Sequence, residues 1–163
     1  MGHGDDAEFG AHKVRVYDTP GHTRGHICFH LANDGVAFMG DTLFALGCGR
    51  LFEGTAEQVW NSLSKLLTWP AETKVACAHG YTQANARFAL TLDPENTALC
   101  ERATRIDQLH AHSIPTVPTT MGLERKTNPF LRPDSIELQR AIGMDRASII
   151  DVFAKVRALK DQF

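Results

Sequence analysis

His22 and His26 lie four positions apart in the stretch DTPGHTRGH, residues 18–26, whose proline and glycines disfavour a regular helix. Two further polar residues follow short apolar runs, Asp41 in FMGDTLF and His79 in VACAHGYT. Neutral imidazole and carboxylate groups are common ligands of zinc-like metals, and a carboxylate can bridge two ions. Taken singly, each histidine also fits an ordinary hydrogen-bonded residue, and Asp41 fits a turn cap. Spacing alone therefore leaves the metal-site and the purely structural interpretation open.

The elements that would carry these residues begin with strands. Residues 12–18, 26–32 and 35–41 read as three strands, and the Asn-Asp-Gly sequence at 33–35 predicts a hairpin between the last two, because these residues tolerate positive φ. The histidine turn then lies between the first two strands, and Asp41 lies at the end of the third. Loops beyond strand ends are where α/β sheets assemble their sites.

After a glycine-rich loop at residues 47–54, the pattern changes to a helical period. Thr55 and Gln58 form a capping-box pair, and the helix that follows ends before Pro70. Its apolar face consists of Val59, Leu63, Leu66 and Leu67. Residues 74–79, KVACAH, form a nearly continuous apolar run, which predicts a strand buried on both faces. Strand, helix and strand at this spacing predict a crossover connection.

From Thr82 onward the pattern predicts helices, at residues 82–92, about 95–112, and 145–162. The segment SIPTVPTTMG, residues 113–122, reads as a proline-bearing linker. We therefore predict an α/β part that ends near residue 80 and a helical part that follows it.

Composition and charge exclude several classes of function. The 163 residues carry a formal net charge of −2, so neither nucleic acid nor a membrane surface is an expected partner. No apolar run is long enough for a transmembrane helix, and the polar beginning MGHGDDAEFG resembles neither a signal nor a transit peptide. No C-x-x-C pair occurs, and we expect four reduced thiols in a cytoplasmic protein: Cys28, Cys48, Cys77 and Cys100.

Several segments together resemble the glyoxalase II family, the hydroxyacylglutathione hydrolases of the metallo-β-lactamase superfamily. They are TPGHTRGH, GDTLFALGCGRLFEGT, CAHGYT, TVPTT with NPFLR, and KDQF, and the resemblance covers residues 4–163. The tail with NPFLR and KDQF distinguishes the chain from β-lactamases and persulfide dioxygenases. The resemblance implies an α/β fold, with the second half of an αββα sandwich in residues 1–81 and an all-helical, substrate-binding C-terminal region in residues 82–163.

The resemblance also implies a set of metal ligands. By position, His22 binds one metal, His79 binds a second, and Asp41 bridges both as the catalytic carboxylate. His26 is not a ligand in the family, and we expect it to brace the turn. The implied cofactor is zinc, binuclear in the family, with iron or manganese as alternatives. For this chain, one metal or none are further alternatives.

Four residues match positions that contact the substrate in the family. Arg50 and Tyr81 correspond to residues near the glutathione moiety, and Arg157 with Lys160 corresponds to the pair that binds its glycine carboxylate. Without the resemblance, that pair fits a solvated basic helix end. The implied reaction is metal-dependent hydrolysis of S-(2-hydroxyacyl)glutathione thioesters, such as S-D-lactoylglutathione to D-lactate and glutathione, the glyoxalase II step of methylglyoxal detoxification.

The chain departs from the family in lacking the H-x-H-x-D-H ligand motif. The HAH at residues 110–112 has no following Asp-His pair and lies at a predicted helix end. We therefore expect a C-terminal portion of a glyoxalase II that begins at an internal methionine. A non-catalytic remnant that binds glutathione thioesters and a split-enzyme fragment are the alternatives. The expected partner is a complementary N-terminal fragment or a second copy, because losing one sheet of the sandwich exposes an apolar face.

Two single positions also depart from the family pattern. Gly80 stands where the family usually has glutamate, which we expect to weaken the support around His79. Phe52 stands where some members have tyrosine, so a hydroxyl group that could touch substrate is missing.

Overall fold

The computed structural model describes residues 2–163. The strands in this range are β1 (Asp6–Phe9), β2 (His12–Asp18), β3 (Ile27–Leu31), β4 (Val36–Gly40), β5 (Leu43–Phe44), β6 (Gly47–Cys48), β7 (Lys74–Cys77) and β8 (Thr119–Thr120). The helices are α1 (Ala56–Leu66), α2 (Thr82–Leu92), α3 (Thr97–Ala111), α4 (Met121–Thr127), α5 (Ile136–Ala141) and α6 (Ile149–Gln162). Within the described residues, no helix has the length and apolar character needed to cross a membrane.

One mixed sheet organises the molecule, with the strand order β1-β2-β3-β4-β7-β8. The first four strands pair antiparallel in sequence order, and β7 joins β4 in parallel. The β3–β4 hairpin closes through a 3-10 turn at Ala32–Asp34, and Gly35 adopts the left-handed conformation with φ of 64°. The hairpin and the crossover between β4 and β7 are therefore confirmed. A small separate hairpin, β5–β6, leaves the end of β4.

Helix α1 begins where the sequence predicts. The side chain of Thr55 accepts from the Gln58 backbone N–H at 3.2 Å, and the Gln58 side chain accepts from the Thr55 N–H at 2.9 Å. This capping box satisfies two N–H groups that a helix start otherwise leaves free. The helix then buries Val59, Leu63 and Leu66 in a core shared with the sheet and with α6.

The face of the sheet that points away from α1 is apolar and exposed to solvent. We call it the bare face. Phe29 and Phe38 lie opposite each other on neighbouring strands, and 50% of Phe38 is exposed. A groove of about 610 Å³ runs along this face, lined by Phe9, Val14, Phe29, Leu31, Val36 and Phe38 among others. Exposed apolar patches of this kind mark surfaces that bind another polypeptide or ligand.

The prediction that the C-terminal region is all-helical is wrong at one point. Thr119 and Thr120 form β8, which pairs antiparallel with Val75 and Lys74 of β7 and so completes the sheet edge. The segment that we expected to be a linker therefore supplies a strand and leads directly into α4. The prediction that β7 is buried on both faces also needs correction, because only Val75 is fully buried and its neighbours meet the bare face.

Two other boundaries differ from the expectation. The polar stretch near the start contains β1, which pairs with β2 through a turn at Gly10, where φ is 61°. The last helix begins at Ile149 rather than at residue 145, because the Ser148 side chain caps it by accepting from the Asp151 N–H at 3.1 Å.

A buried polar network joins the C-terminal helices to the sheet region. Glu124 is fully buried and forms an ion pair with Arg102 of α3. Its carboxylate also accepts from the Thr119 hydroxyl at 2.7 Å and from the Leu46 backbone N–H at 2.9 Å. A buried charge is tolerated only when it is paired and hydrogen-bonded in this way.

Asn128, the first residue of the NPFLR segment, extends this network to the β5–β6 hairpin. Its side-chain amide donates to the carbonyl oxygens of Phe44 and Gly47, at 3.3 and 3.1 Å, and to Glu124 at 2.9 Å. The β5–β6 hairpin, which lies between Asp41 and Arg50 in the sequence, is therefore held in place by the C-terminal region.

Candidate metal and substrate site

The histidine turn lies between β2 and β3 and packs against α1. Gly21 has a φ of 147°, and a Cβ there would lie 2.1 Å from Cγ2 of Val59, so only glycine permits this approach. The Gly54 N–H donates to the Gly21 carbonyl at 3.0 Å, which links the turn to the loop ahead of α1. These contacts fix the backbone that carries His22.

His26 braces this turn from within. Its Nε2 accepts from the Asp41 backbone N–H at 3.1 Å, so the ring proton resides on Nδ1. Nδ1 lies 2.9 Å from the Thr19 hydroxyl and 2.8 Å from the Thr42 hydroxyl. Burial lowers the pKa of His26, which favours the neutral ring that this arrangement requires.

Parallel pairing of β4 and β7 brings Asp41 and His79 together. The Ala78 N–H donates to the Gly40 carbonyl at 3.1 Å, so the residues that follow the two strands emerge side by side. Oδ1 of Asp41 lies 3.3 Å from Nε2 of His79, and Oδ2 lies 3.9 Å from Nε2 of His22. Each carboxylate oxygen therefore faces a different histidine.

The ring orientation of His22 suits a metal ligand. Its Nδ1 donates to the Arg50 carbonyl at 3.0 Å, and because a carbonyl only accepts, the proton must reside on Nδ1. Nε2 is then unprotonated, and this nitrogen is the one that faces Asp41. In many metal sites, a backbone carbonyl accepts a hydrogen bond from the histidine nitrogen that does not bind the metal. The donor set of two imidazoles and one carboxylate thus fits a divalent transition metal.

The three side chains do not converge on one point. Among residues 2–163, no group of three histidine, cysteine, aspartate or glutamate side chains is close enough to hold one ion together. Each Asp41 oxygen instead faces its own histidine, so these side chains would hold metal as two neighbouring His–Asp pairs.

One cleft of about 720 Å³ brings together the residues predicted to bind metal or substrate. Its walls include the seven predicted site residues: His22, Asp41, Arg50, His79, Tyr81, Arg157 and Lys160. The ligand candidates come from the sheet half, and Arg157 and Lys160 come from α6. A concave site with a few converging polar groups is typical of small-molecule binding.

The loop after β6 connects the two parts of this cleft. A Cβ on Gly49 would lie 2.1 Å from the Asp41 carbonyl oxygen, so the loop passes against the residue after β4. Arg50 follows, with its carbonyl on His22 and its exposed side chain 3.9 Å from the Asp161 carboxylate. Arg50 therefore contacts His22 through its backbone, and its charge faces α6.

Arg157 is the most enclosed cation of the cleft, with 5% of its surface exposed. Its guanidinium donates to the Cys48 carbonyl at 3.0 Å and to Asp161 at 2.9 Å, and it lies 4.9 Å from the Phe130 ring centroid. Nε has no partner within the described residues. Arg157 thus anchors α6 to β6.

Lys160 and Tyr81 are more open to the cleft. Lys160 is half-buried, and its pKa is lowered first by burial and then by the neighbouring charges of Arg157 and Arg50. Tyr81 is 51% exposed and stacks on the His79 ring at a centroid distance of 5.0 Å. The aromatic ring therefore borders the ligand candidate, and it also packs edge to face with Phe44 at a centroid distance of 5.4 Å.

Comparisons with known proteins identify the family of this chain. Residues 1–79 match the sequence model of the metallo-beta-lactamase superfamily, and residues 80–163 match that of the hydroxyacylglutathione hydrolase C-terminus. A hydroxyacylglutathione hydrolase of Rhizobium meliloti (strain 1021) is 53% identical over 163 residues, which is 100% of this chain. The chain belongs to the hydroxyacylglutathione hydrolase family. It spans 64% of the length of that relative.

Solved structures confirm the predicted α/β class and the metallo-β-lactamase fold. ETHE1 from Myxococcus xanthus superimposes with a TM-score of 0.56 at 26% identity, over 97% of this chain and 57% of that one. A metallo-beta-lactamase from Staphylococcus aureus subsp. aureus COL gives a TM-score of 0.56 at 22% identity, over 97% of this chain and 42% of that one, and shares the fold.

Several residues that line the cleft were not predicted from the sequence. Asp161 lies four positions after Arg157, and Phe163 lies three after Lys160, so helical spacing could have indicated both. Cys48 also lines the cleft, but burial raises its pKa to about 11, so the thiol stays protonated at neutral pH. Phe44 carried no local signal, because its position depends on the β5–β6 hairpin.

Proposed function

We propose that this chain takes part in metal-dependent hydrolysis of S-(2-hydroxyacyl)glutathione thioesters, with S-D-lactoylglutathione giving D-lactate and glutathione. The observation that carries the proposal is the placement of His22 and His79 on different oxygens of Asp41, inside a cleft whose far wall is cationic. The membership of the family supports the same reaction. In the cell this would be the glyoxalase II step of methylglyoxal detoxification, in the cytoplasm, where the four free cysteines stay reduced.

The ligands in this proposal are His22, Asp41 and His79. Bound divalent metal, which we take to be zinc with iron or manganese as alternatives, supplies Lewis acidity toward the thioester carbonyl and makes water acidic near neutral pH. Asp41 contributes the negative charge, and the Arg50 carbonyl keeps His22 in the tautomer whose Nε2 is free. His26 holds the Asp41 backbone in place. Water adds to the thioester carbon, the C–S bond breaks, and glutathione leaves as the thiol.

The cationic wall recognises the glutathione moiety. Glutathione carries carboxylates that a set of lysine and arginine side chains can bind by charge-assisted hydrogen bonds. Lys160 and Arg50 offer accessible donors, whereas Arg157 is largely occupied by Cys48 and Asp161. We therefore assign direct carboxylate binding to Lys160 and Arg50, and an anchoring role to Arg157. Tyr81 borders the same moiety beside His79.

A second candidate function is a fragment of a split enzyme, or a remnant that binds glutathione thioesters without turnover. The bare sheet face with Phe29 and Phe38 favours this candidate, because an apolar groove of about 610 Å³ is costly to leave in water. The occupant would be a complementary polypeptide with the H-x-H-x-D-H ligands, or a second copy of this chain.

The decisive experiment measures S-D-lactoylglutathione hydrolysis by zinc-loaded protein, with the bound zinc determined in the same samples. Asp41→Asn should abolish both turnover and zinc binding. Asp107→Asn, an exposed carboxylate on α3, is the matched control and should leave both unchanged. Equal turnover in the wild type and Asp41→Asn would overturn the proposal.

The same samples separate the two candidates. A folded wild type that binds zinc and S-hexylglutathione but does not turn over the thioester indicates the split or remnant function. Adding a polypeptide with the H-x-H-x-D-H half of a relative should then restore turnover if the split function is right. Sedimentation of the chain alone distinguishes a second copy from a different partner.

A further inference from the structure

Two aromatic rings enclose the ammonium group of Lys160. Nζ lies 5.1 Å from the ring centroid of Phe88 and 4.9 Å from that of Phe163. The two rings also contact each other edge to face, with centroids 5.5 Å apart at an interplanar angle of 63°. Both distances fall within the range in which a cation is attracted to the face of an aromatic ring.

The two rings differ in their surroundings. Phe88 belongs to α2 and is 2% exposed, so its position is set by the core. Phe163 follows α6 and is 62% exposed, and it lines the cleft together with Lys160. Phe163 therefore contributes little to the core. Core packing does not explain why its ring lies against Lys160 and Phe88.

The charges around Lys160 make a fixed position useful. Arg157 and Arg50 repel the ammonium group, and Asp161, which contacts Arg157 at 2.9 Å, is the acidic neighbour that opposes them. A lysine side chain has many rotamers, and repulsion would favour those that point into solvent. Attraction to two rings offsets this tendency and keeps the ammonium group at the cleft.

We propose that Phe163 is a positioning residue that acts through Lys160. Its ring, together with that of Phe88, holds the ammonium group where a carboxylate of the glutathione moiety enters the cleft. The proposal rests on the function proposed above, in which Lys160 binds that carboxylate. It predicts that Phe163 affects ligand affinity only while Lys160 is present.

The test measures binding of S-hexylglutathione, a thioether that cannot be hydrolysed, to the full chain by calorimetry. Phe163→Leu keeps an apolar side chain but removes the aromatic face, and it should weaken binding by about 3- to 5-fold. Phe163→Trp keeps an aromatic face and should bind like the wild type. Lys160→Met should weaken binding by about 10-fold or more. The double variant should bind like Lys160→Met alone.

Other outcomes have distinct meanings. If Phe163→Leu weakens binding equally with and without Lys160, Phe163 contacts the ligand directly and the inference is wrong. If Phe163→Leu binds like the wild type, the rings do not position Lys160, although the proposed function stands. If the wild type does not bind the probe, the proposed glutathione site is rejected, and the inference with it.

A ligand-independent measurement checks the contact itself. The ring currents of Phe88 and Phe163 should shift the ¹³Cε signal of Lys160 upfield, with the assignment made from Lys160→Arg. Phe163→Leu should move this signal back toward an ordinary lysine position, and Phe163→Trp should retain the shift. Thermal unfolding of each variant verifies that the fold is unchanged.

Discussion

The backbone N–H of Asp41 donates a hydrogen bond to Nε2 of His26 at 3.1 Å. Nδ1 of the same ring reaches the hydroxyl groups of Thr19 and Thr42, one on each side of the β3–β4 hairpin. The histidine that binds no metal in our proposal thus fixes the backbone position of Asp41. The two histidines of the turn therefore have different roles. His22 faces the Asp41 carboxylate, whereas the ring of His26 accepts from the Asp41 backbone N–H.

Replacing His26 with alanine should therefore affect both stability and metal binding. The Asp41 N–H loses its partner, whereas the Thr19 and Thr42 hydroxyl groups keep their bond to each other, and the free energy of unfolding should fall by about 1–3 kcal/mol. Zinc affinity should fall by about 10–100-fold, as is usual when a group that orients a ligand is removed. Urea denaturation and zinc titration measure the two effects. His112→Ala, at an exposed position, is the control, and an unchanged zinc affinity in His26→Ala would contradict the prediction.

Two glycines beside the site make a matched pair. A Cβ on Gly49 would lie 2.1 Å from the Asp41 carbonyl oxygen, whereas a Cβ on Gly80 would meet nothing within 4 Å. Gly49→Ala should destabilise the protein by about 1–3 kcal/mol, because the backbone itself must move. Gly80→Ala should stay within about 0.5 kcal/mol of the wild type. Equal unfolding midpoints for the two variants would show that the loop can move away from Asp41 without cost.

Local signals sufficed for the elements that carry the ligand candidates. The Thr55–Gln58 capping box, the Asn-Asp-Gly turn at residues 33–35 and the apolar run of β7 each act within a few residues. These signals place Asp41 and His79 at strand ends, and the predicted crossover connection makes the two strands neighbours. The proximity of Asp41 and His79 could be predicted for this reason.

Other features depend on contacts that are distant in sequence and left no local pattern. The β8 residue Thr119 pairs with Val75, and the Asn128 side chain reaches the carbonyl of Gly47. A two-residue strand and a buried asparagine are not distinguishable from loop residues by periodicity. The burial of Arg157 was likewise not predictable, because an arginine at the end of an amphipathic helix usually points into solvent.

Arg102 and Arg105, both on α3, provide a test of the buried network. Arg102 is 9% exposed and pairs with the fully buried Glu124, whereas Arg105 is exposed. Arg102→Met leaves the Glu124 charge without its cation and should lower the free energy of unfolding by about 3–5 kcal/mol. Arg105→Met should change it by less than about 0.5 kcal/mol. Urea denaturation measures both, and a small effect at Arg102 would mean that the hydrogen bonds from Leu46, Thr119 and Asn128 suffice to stabilise Glu124.

The stability of the protein should decrease in mild acid because of His30. This ring is 6% exposed and stacks on Trp69 at a centroid distance of 4.1 Å, and its Nε2 is buried without a partner within the described residues. Burial lowers the pKa of His30 below its ordinary value of 6.5, so below about that pH the unfolded chain takes up a proton that the native state does not. The free energy of unfolding should then fall as the pH drops from 7 through 6.5 toward the lower native pKa.

His30→Phe keeps a stacked ring without a titrating group, and it should reduce the slope of stability against pH between about 7 and 5. His26 titrates in the same direction, so part of the slope should remain. An equally steep slope in His30→Phe would assign the acid sensitivity to other groups.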